Sequence, residues 1–83
     1  SFPTRRSSDL HEKDLRGQDF KGAFLIGANL SNCDLCGVNF LGSDVRKMDI
    51  RNSDLSKSLF LTPAQISACV INRYTKLPEY IGY

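Results

Sequence analysis

The 83 residues contain no Trp, one His, one Met and three Pro. With a single His11 and no Ser or Cys partner in a recognisable arrangement, nucleophilic catalysis finds no constellation to work with. Neither charge dominates: 11 Lys+Arg stand against nine Asp+Glu, a net of +2. That balance supports neither an acidic nucleic-acid mimic nor a strongly basic nucleic-acid binder. No apolar run approaches the roughly 18 residues of a membrane span. No Gly-rich loop precedes a helix, so no phosphate cradle is visible. Three Cys is an odd count without a secretory signal, which argues against a disulfide framework. Length allows one domain with a small core.

What the chain does have is a period of five. From Lys13 it divides into ten pentads without insertion, KDLRG, QDFKG, AFLIG, ANLSN, CDLCG, VNFLG, SDVRK, MDIRN, SDLSK and SLFLT, covering residues 13–62. The central residues are Leu15, Phe20, Leu25, Leu30, Leu35, Phe40, Val45, Ile50, Leu55 and Phe60, all large and apolar. Asp or Asn precedes the centre in eight of the ten, the exceptions being Phe24 and Leu59. Gly closes the pentad at 17, 22, 27, 37 and 42, and Asn at 32 and 52.

A step of five spirals around every face of an α-helix and alternates faces of a strand. All ten central residues are buried together only if the chain turns a corner once per pentad. Gly or Asn in fifth place suits a corner with positive φ. Asp or Asn in second place suits side-chain bonding to the turn backbone. A second period sets the number of corners. Phe20, Phe40 and Phe60 are 20 apart, as are Leu15, Leu35 and Leu55, and Asn32 and Asn52. Twenty residues are four pentads, so a square coil would stack like on like, with about two and a half coils in residues 13–62.

The pattern resembles the pentapeptide-repeat family. The resemblance implies an all-β fold, a right-handed quadrilateral β-helix (solenoid). It also implies that the residue two before each centre points inward. The small inner ladder is then Ala23, Ala28, Cys33, Val38, Ser43, Ser53 and Ser58, with a larger Met48. Lys13 and Gln18 would be polar residues facing in, a sign of a disturbed first coil.

The rhythm stops at Thr62. Thr62-Pro63-Ala64-Gln65 reads as a capping box with Pro in the first helical position. Ile66, Cys69 and Val70 form one apolar stripe. The expectation is a capping helix from Pro63 to near Asn72, then an extended Thr75-Lys76-Leu77-Pro78. This cap too resembles that of bacterial pentapeptide proteins, which often place a Gly-Asp turn where Ile71-Asn72-Arg73-Tyr74 stands here. The organisation expected is residues 1–12 as an N-terminal segment outside the fold, 13–62 as the repeats and 63–83 as the cap. Residues 1–10, SFPTRRSSDL, resemble a translated sequencing-library adaptor, and on that reading the chain is a fragment of a longer bacterial protein. Without them Lys+Arg falls to nine and Asp+Glu to eight, a net of +1.

Cys33 and Cys36 form a C-x-x-C that, with Cys69 and His11, could formally supply a zinc site. The register sets Cys33 inward and Cys36 outward, so neither metal nor cofactor is expected. Asp14, Asp19, Asp34, Asp44, Asp49 and Asp54 all share the turn-bonding position and are read as structural. Catalytic residues are therefore not expected, and the chain is read as non-enzymatic. Outward apolar residues remain. Leu59 and Leu61 are expected beneath the cap. Phe24 and Ile26 either cover one another or, with Leu41, form a partner surface.

The leading reading is a solenoid module presenting a rigid surface to a protein partner, cytoplasmic by default. Nucleic acid is not an expected partner. The family resemblance supplies two alternatives, a DNA-mimicking topoisomerase (gyrase)-binding protein and the scaffold of a secreted bacterial effector. Self-association through the N-terminal end of the coil is a further expectation.

Overall fold

A computed structural model describes residues 14–81. The readings made for residues 1–13, the adaptor resemblance and Lys13 among them, lie outside the described residues.

The first eight pentads turn as the sequence requires. The amide of the first residue of one pentad donates to the central carbonyl of the pentad before it, as in Gln18 N to Leu15 O and Ala23 N to Phe20 O, at 2.9–3.2 Å. The corner residues Gly17, Gly22, Gly27, Gly37 and Gly42 have φ between 66° and 76°. Asn32, Lys47 and Asn52 take the same left-handed conformation at 56–60°. A positive φ in the third of four turn residues is what a type II turn needs. All eight Asp and Asn side chains in second place accept the backbone N–H two residues on, from Asp14 with Arg16 to Asp54 with Ser56. The second-place carboxylates are thus part of the turn, as their position suggested.

Successive circuits pair 20 residues apart. Parallel bridges join Asp14 to Asp34, Asp19 to Asn39, Phe24 to Asp44, Asn29 to Asp49, Asp34 to Asp54 and Asn39 to Leu59. The first wall of the coil is thus residues 14–17, 33–37 and 53–57. The second is 18–22, 38–42 and 58–62, the third 23–27 and 43–47, the fourth 28–32 and 48–52. The bridges are isolated, and among the described residues no multi-residue strand or sheet forms. With a turn every five residues, one residue per pentad is left to pair. The structure thus shows a ladder of single bridges between circuits and none of the strands expected of a β-helix.

Nine of the ten central residues are buried, from Leu15 through Leu55, with Phe20, Leu30, Leu35, Phe40, Ile50 and Leu55 wholly so. Phe20 and Phe40 stack edge to face, 5.7 Å between ring centres. The inner ladder Ala23, Ala28, Cys33, Val38, Ser43, Met48, Ser53 and Ser58 is buried as well. Its hydroxyls are satisfied by turn carbonyls. Ser43 Oγ donates to Phe40 O at 2.9 Å and Ser58 Oγ to Leu55 O at 2.8 Å. Ser53 Oγ bridges a turn, donating to Leu30 O at 2.6 Å and accepting from Cys33 N at 3.1 Å. Gln18, expected to face in, is exposed at the lower end.

Three expectations are corrected at the C-terminal end. Phe60 is not in the core: it is 56% exposed, and Leu61 is buried in its stead at 4%. The cause is Thr62-Pro63. A regular tenth pentad would put positive φ on Thr62, which is β-branched and precedes proline, both of which oppose it. Thr62 is instead extended at φ −113°, and the left-handed residue is Phe60 at φ 65°. Second, Leu59 is exposed at 43% and does not lie beneath the cap. Third, the helix is shorter than expected. α1 spans Pro63–Ala68 and stops at Cys69, which is extended. Six residues rise about 9 Å, roughly one wall, after which the chain must turn to follow the coil.

The cap continues the circuit in other conformations. Its capping box is complete: Gln65 N donates to Thr62 Oγ1 at 3.1 Å and Thr62 N to Gln65 Oε1 at 2.9 Å. α1 lies over the third wall, where Lys47 N donates to Ala68 O. Val70 then pairs with Asp49 on the fourth wall and Lys76 with Asp54 on the first. Between them Asn72–Thr75 forms a turn, closed by Thr75 N to Asn72 O at 3.1 Å. A 3-10 turn, Glu79–Ile81, ends over the second wall. Leu61, Ile66 and Ile81 close the top of the core, with Cys69 and Leu77 packed against it.

Candidate functional site

The outward faces are where a function can sit, and much of their charge is already engaged. Arg16 grips Asp14 at 2.7 Å, Arg46 grips Asp44 at 2.8 Å and Arg51 grips Asp49 at 2.8 Å. Each Arg uses both Nε and Nη2, the bidentate geometry guanidinium favours. Hydrogen bonding from Arg16 holds the Asp14 carboxyl down at about 2. The Asp44 and Asp49 carboxyls are likewise lowered by Arg46 and Arg51, and Asp54 by hydrogen bonds from Ser56. These carboxylates act as acceptors in turns, and Asp14, Asp44 and Asp49 also in ion pairs.

The thiols are dispersed. Cys33 is buried in the inner ladder, while Cys36 is half-buried beside a corner. Cys69 packs under α1, donating to Gln65 O at 3.3 Å, and burial pushes its thiol up to about 12. Among the described residues no three His, Cys, Asp or Glu side chains stand together as a metal site would need. Nor is any helix among them long and apolar enough to cross a membrane.

The apolar surface is differently arranged from the sequence expectation. Phe24, at 73%, and Ile26, at 51%, are both exposed on the third wall, so they do not cover one another. Leu41 belongs with other residues. It lines an open groove of about 470 Å³ on the second wall together with Leu59, Phe60, Leu61, Thr62 and Tyr80. The groove exists because Phe60 and Leu59 are turned out. Tyr80 forms its upper rim, with its hydroxyl donating to Ser58 O at 2.7 Å and accepting from Leu61 N at 3.2 Å. Phe60 and Tyr80 were not singled out as surface residues from the sequence, and Leu59, at an outward position, was expected beneath the cap. The signal that could have found them is the Thr62-Pro63 pair, which forbids the regular last corner.

Repeated turns at a fixed spacing, a core of stacked like residues and a terminal cap define a repeat protein. The family model for Pentapeptide repeats matches residues 6–35 and 19–56, in eight copies. Those residues are more than half of the chain, and it belongs to the pentapeptide-repeat family. The match starts ahead of Lys13 because Ser8-Asp9-Leu10 stands in the same register, five residues before Lys13-Asp14-Leu15. No curated protein and no solved structure matches the chain.

Proposed function

We propose that this chain is a right-handed quadrilateral β-helix module whose role is to offer a rigid surface to a protein partner, without catalysis of its own. The observation that carries the reading is the groove on the second wall. Four large apolar side chains, Leu41, Leu59, Phe60 and Tyr80, are exposed together on a scaffold whose turns are fixed by backbone and Asx bonds. Aromatic and aliphatic side chains on a preorganised frame are what a protein interface uses as anchors. Clamped carboxylates support the non-enzymatic part of the reading. They also count against DNA mimicry, because three of the outward Asp that would stand for phosphates carry an Arg on both oxygens or nearby.

Site-specific photo-crosslinking in cells expressing the chain tests the groove. A crosslinker at position 59 is expected to give a discrete protein adduct that one at position 51, on the fourth wall, does not. Leu41→Lys should abolish the adduct. Equal labelling from both positions, or an adduct indifferent to Leu41→Lys, would overturn the proposal.

A further inference from the structure

We infer that residues 58–62 are a two-state element in which Phe60 and Leu61 exchange places in the core, with the Tyr80 hydroxyl as the latch. Four observations lead there. Phe60 stands 20 residues after Phe40 and 40 after Phe20, whose rings already stack, so the column has a third ring position that its own register assigns to Phe60. Yet Phe60 is exposed and held at φ 65°, a conformation costly for a bulky L-residue. The slip is local. Corner amides at Gly17, Gly22, Gly27 and Asn32 donate to the carbonyl 19 residues ahead, whereas Gly37 donates to Lys57, 20 ahead. Finally, the walls differ in how the cap covers them. Backbone bonds reach the third, fourth and first walls, from Lys47 N to Ala68 O, Ile50 N to Val70 O and Leu55 N to Lys76 O. On the second wall a side chain takes that part, the Tyr80 hydroxyl bonding Ser58 O and Leu61 N.

The two states follow from these contacts. In the state described, Leu61 fills the core, Phe60 rims the groove and Tyr80 is bonded at both ends. In the other, Phe60 enters above Phe40 and its positive φ is relieved, while Thr62 stays extended as the cap of α1. Leu61 then turns outward, its N–H leaves the Tyr80 hydroxyl, and residues 79–81 release the second wall. The groove disappears in that state. Any ligand of the groove therefore favours the state described, by its differential affinity for the two. The inference itself does not rest on what the groove binds.

Nuclear magnetic resonance on the full chain tests it. Wild type should show microsecond-to-millisecond relaxation dispersion confined to residues 58–62 and 79–81. Phe60→Asn removes the ring that enters and suits the left-handed conformation, so it should abolish that dispersion. Tyr80→Phe should raise exchange of the Leu61 amide by about tenfold, the loss of one hydrogen bond, and bring the Phe60 ring into contact with Phe40. If Tyr80→Phe loosens residues 79–81 while Phe60 keeps no contact with Phe40, the element is not bistable. Should Tyr80→Phe fail to fold, the other pair decides: dispersion in both wild type and Phe60→Asn, or in neither, overturns the inference.

Discussion

Replacing Phe40 by Ala probes the column where it is most tightly built. Phe40 is wholly buried, its ring edge lies against Phe20, and it sits in the middle circuit with walls on all sides. The surrounding side chains are held by turns that close every five residues, so collapse into the vacated space is restricted. The cost expected is in the usual range for a buried Phe truncated to Ala, about 3–5 kcal/mol. At about 0.05–0.15 kcal/mol per residue, a domain this small holds roughly 4–12 kcal/mol in total. The variant is thus brought to the edge of unfolding. With a urea slope of about 1 kcal/mol per molar for so short a chain, the midpoint should fall by about 3 M or vanish. Urea titration followed by far-ultraviolet circular dichroism measures it. Phe60→Ala is the control. It removes the same side chain at the same repeat position, but from a surface, and should move stability by no more than about 0.5 kcal/mol. Equal midpoint shifts for the two variants would refute both the burial of the Phe20–Phe40 stack and the exclusion of Phe60 from it.

Gly27→Ala should cost about 1–2 kcal/mol although nothing lies within 4 Å of the added methyl, because the cost is that of a left-handed L-residue; an unchanged melting midpoint would contradict the corner geometry. Ser53→Ala should cost about 1–3 kcal/mol, since the hydroxyl serves both Leu30 O and Cys33 N inside the column; thermal denaturation of the variant reads this directly. Stability should also fall in acid. The Asp14, Asp44, Asp49 and Asp54 carboxyls are all lowered in the fold, so their contribution is full above the ordinary carboxylate range, near 4, and is lost as pH drops through their folded values, about 2 for Asp14. Urea midpoints should hold level from about pH 7 to 5 and decline below about 4, and a midpoint that rose in acid would reverse the sign of the argument.

The repeat region was legible because one residue type decides one geometric choice at each place in the pentad. Gly or Asn sets the corner, Asp or Asn ties it, Leu or Phe fills the core. Lys47 shows the limit of that code. It takes the left-handed corner at φ 57° with no side chain suited to it, because the circuits below and above hold it there. Lys57, the same residue type at the same pentad position, does not. Identity alone could not separate the two, and what does is the neighbour that follows. Lys47 leads into another regular pentad, whereas Lys57 leads into Thr62-Pro63, which moves the left-handed residue forward to Phe60. The exposed groove was unreadable for the same reason. Leu41 had been read as an outward residue, but Leu59, Phe60 and Leu61 looked like core or cap residues until the register slipped beneath them.

The cap shows a different kind of illegibility. By sequence the period ends at Thr62, and by hydrogen bonding it does not. α1, Val70, Lys76 and the Glu79–Ile81 turn take up the third, fourth, first and second walls in the order the pentads would have. One residue keeps the old spacing: Asn72 stands 20 after Asn52 as Asn52 does after Asn32. Its Nδ2 donates to Asn52 Oδ1 at 3.0 Å, and its Oδ1 accepts the Asn52 N–H at 3.1 Å. A buried or half-buried edge requires partners for its backbone groups but does not prescribe what supplies them. A helix carbonyl, a bridge, an Asn amide and a Tyr hydroxyl each serve on this rim. A rule about side-chain spacing sees only the Asn, because the others meet the demand of the edge with chemistry that has no fixed place in a pentad. The rim is where Leu59, Phe60 and Tyr80 come to the surface together.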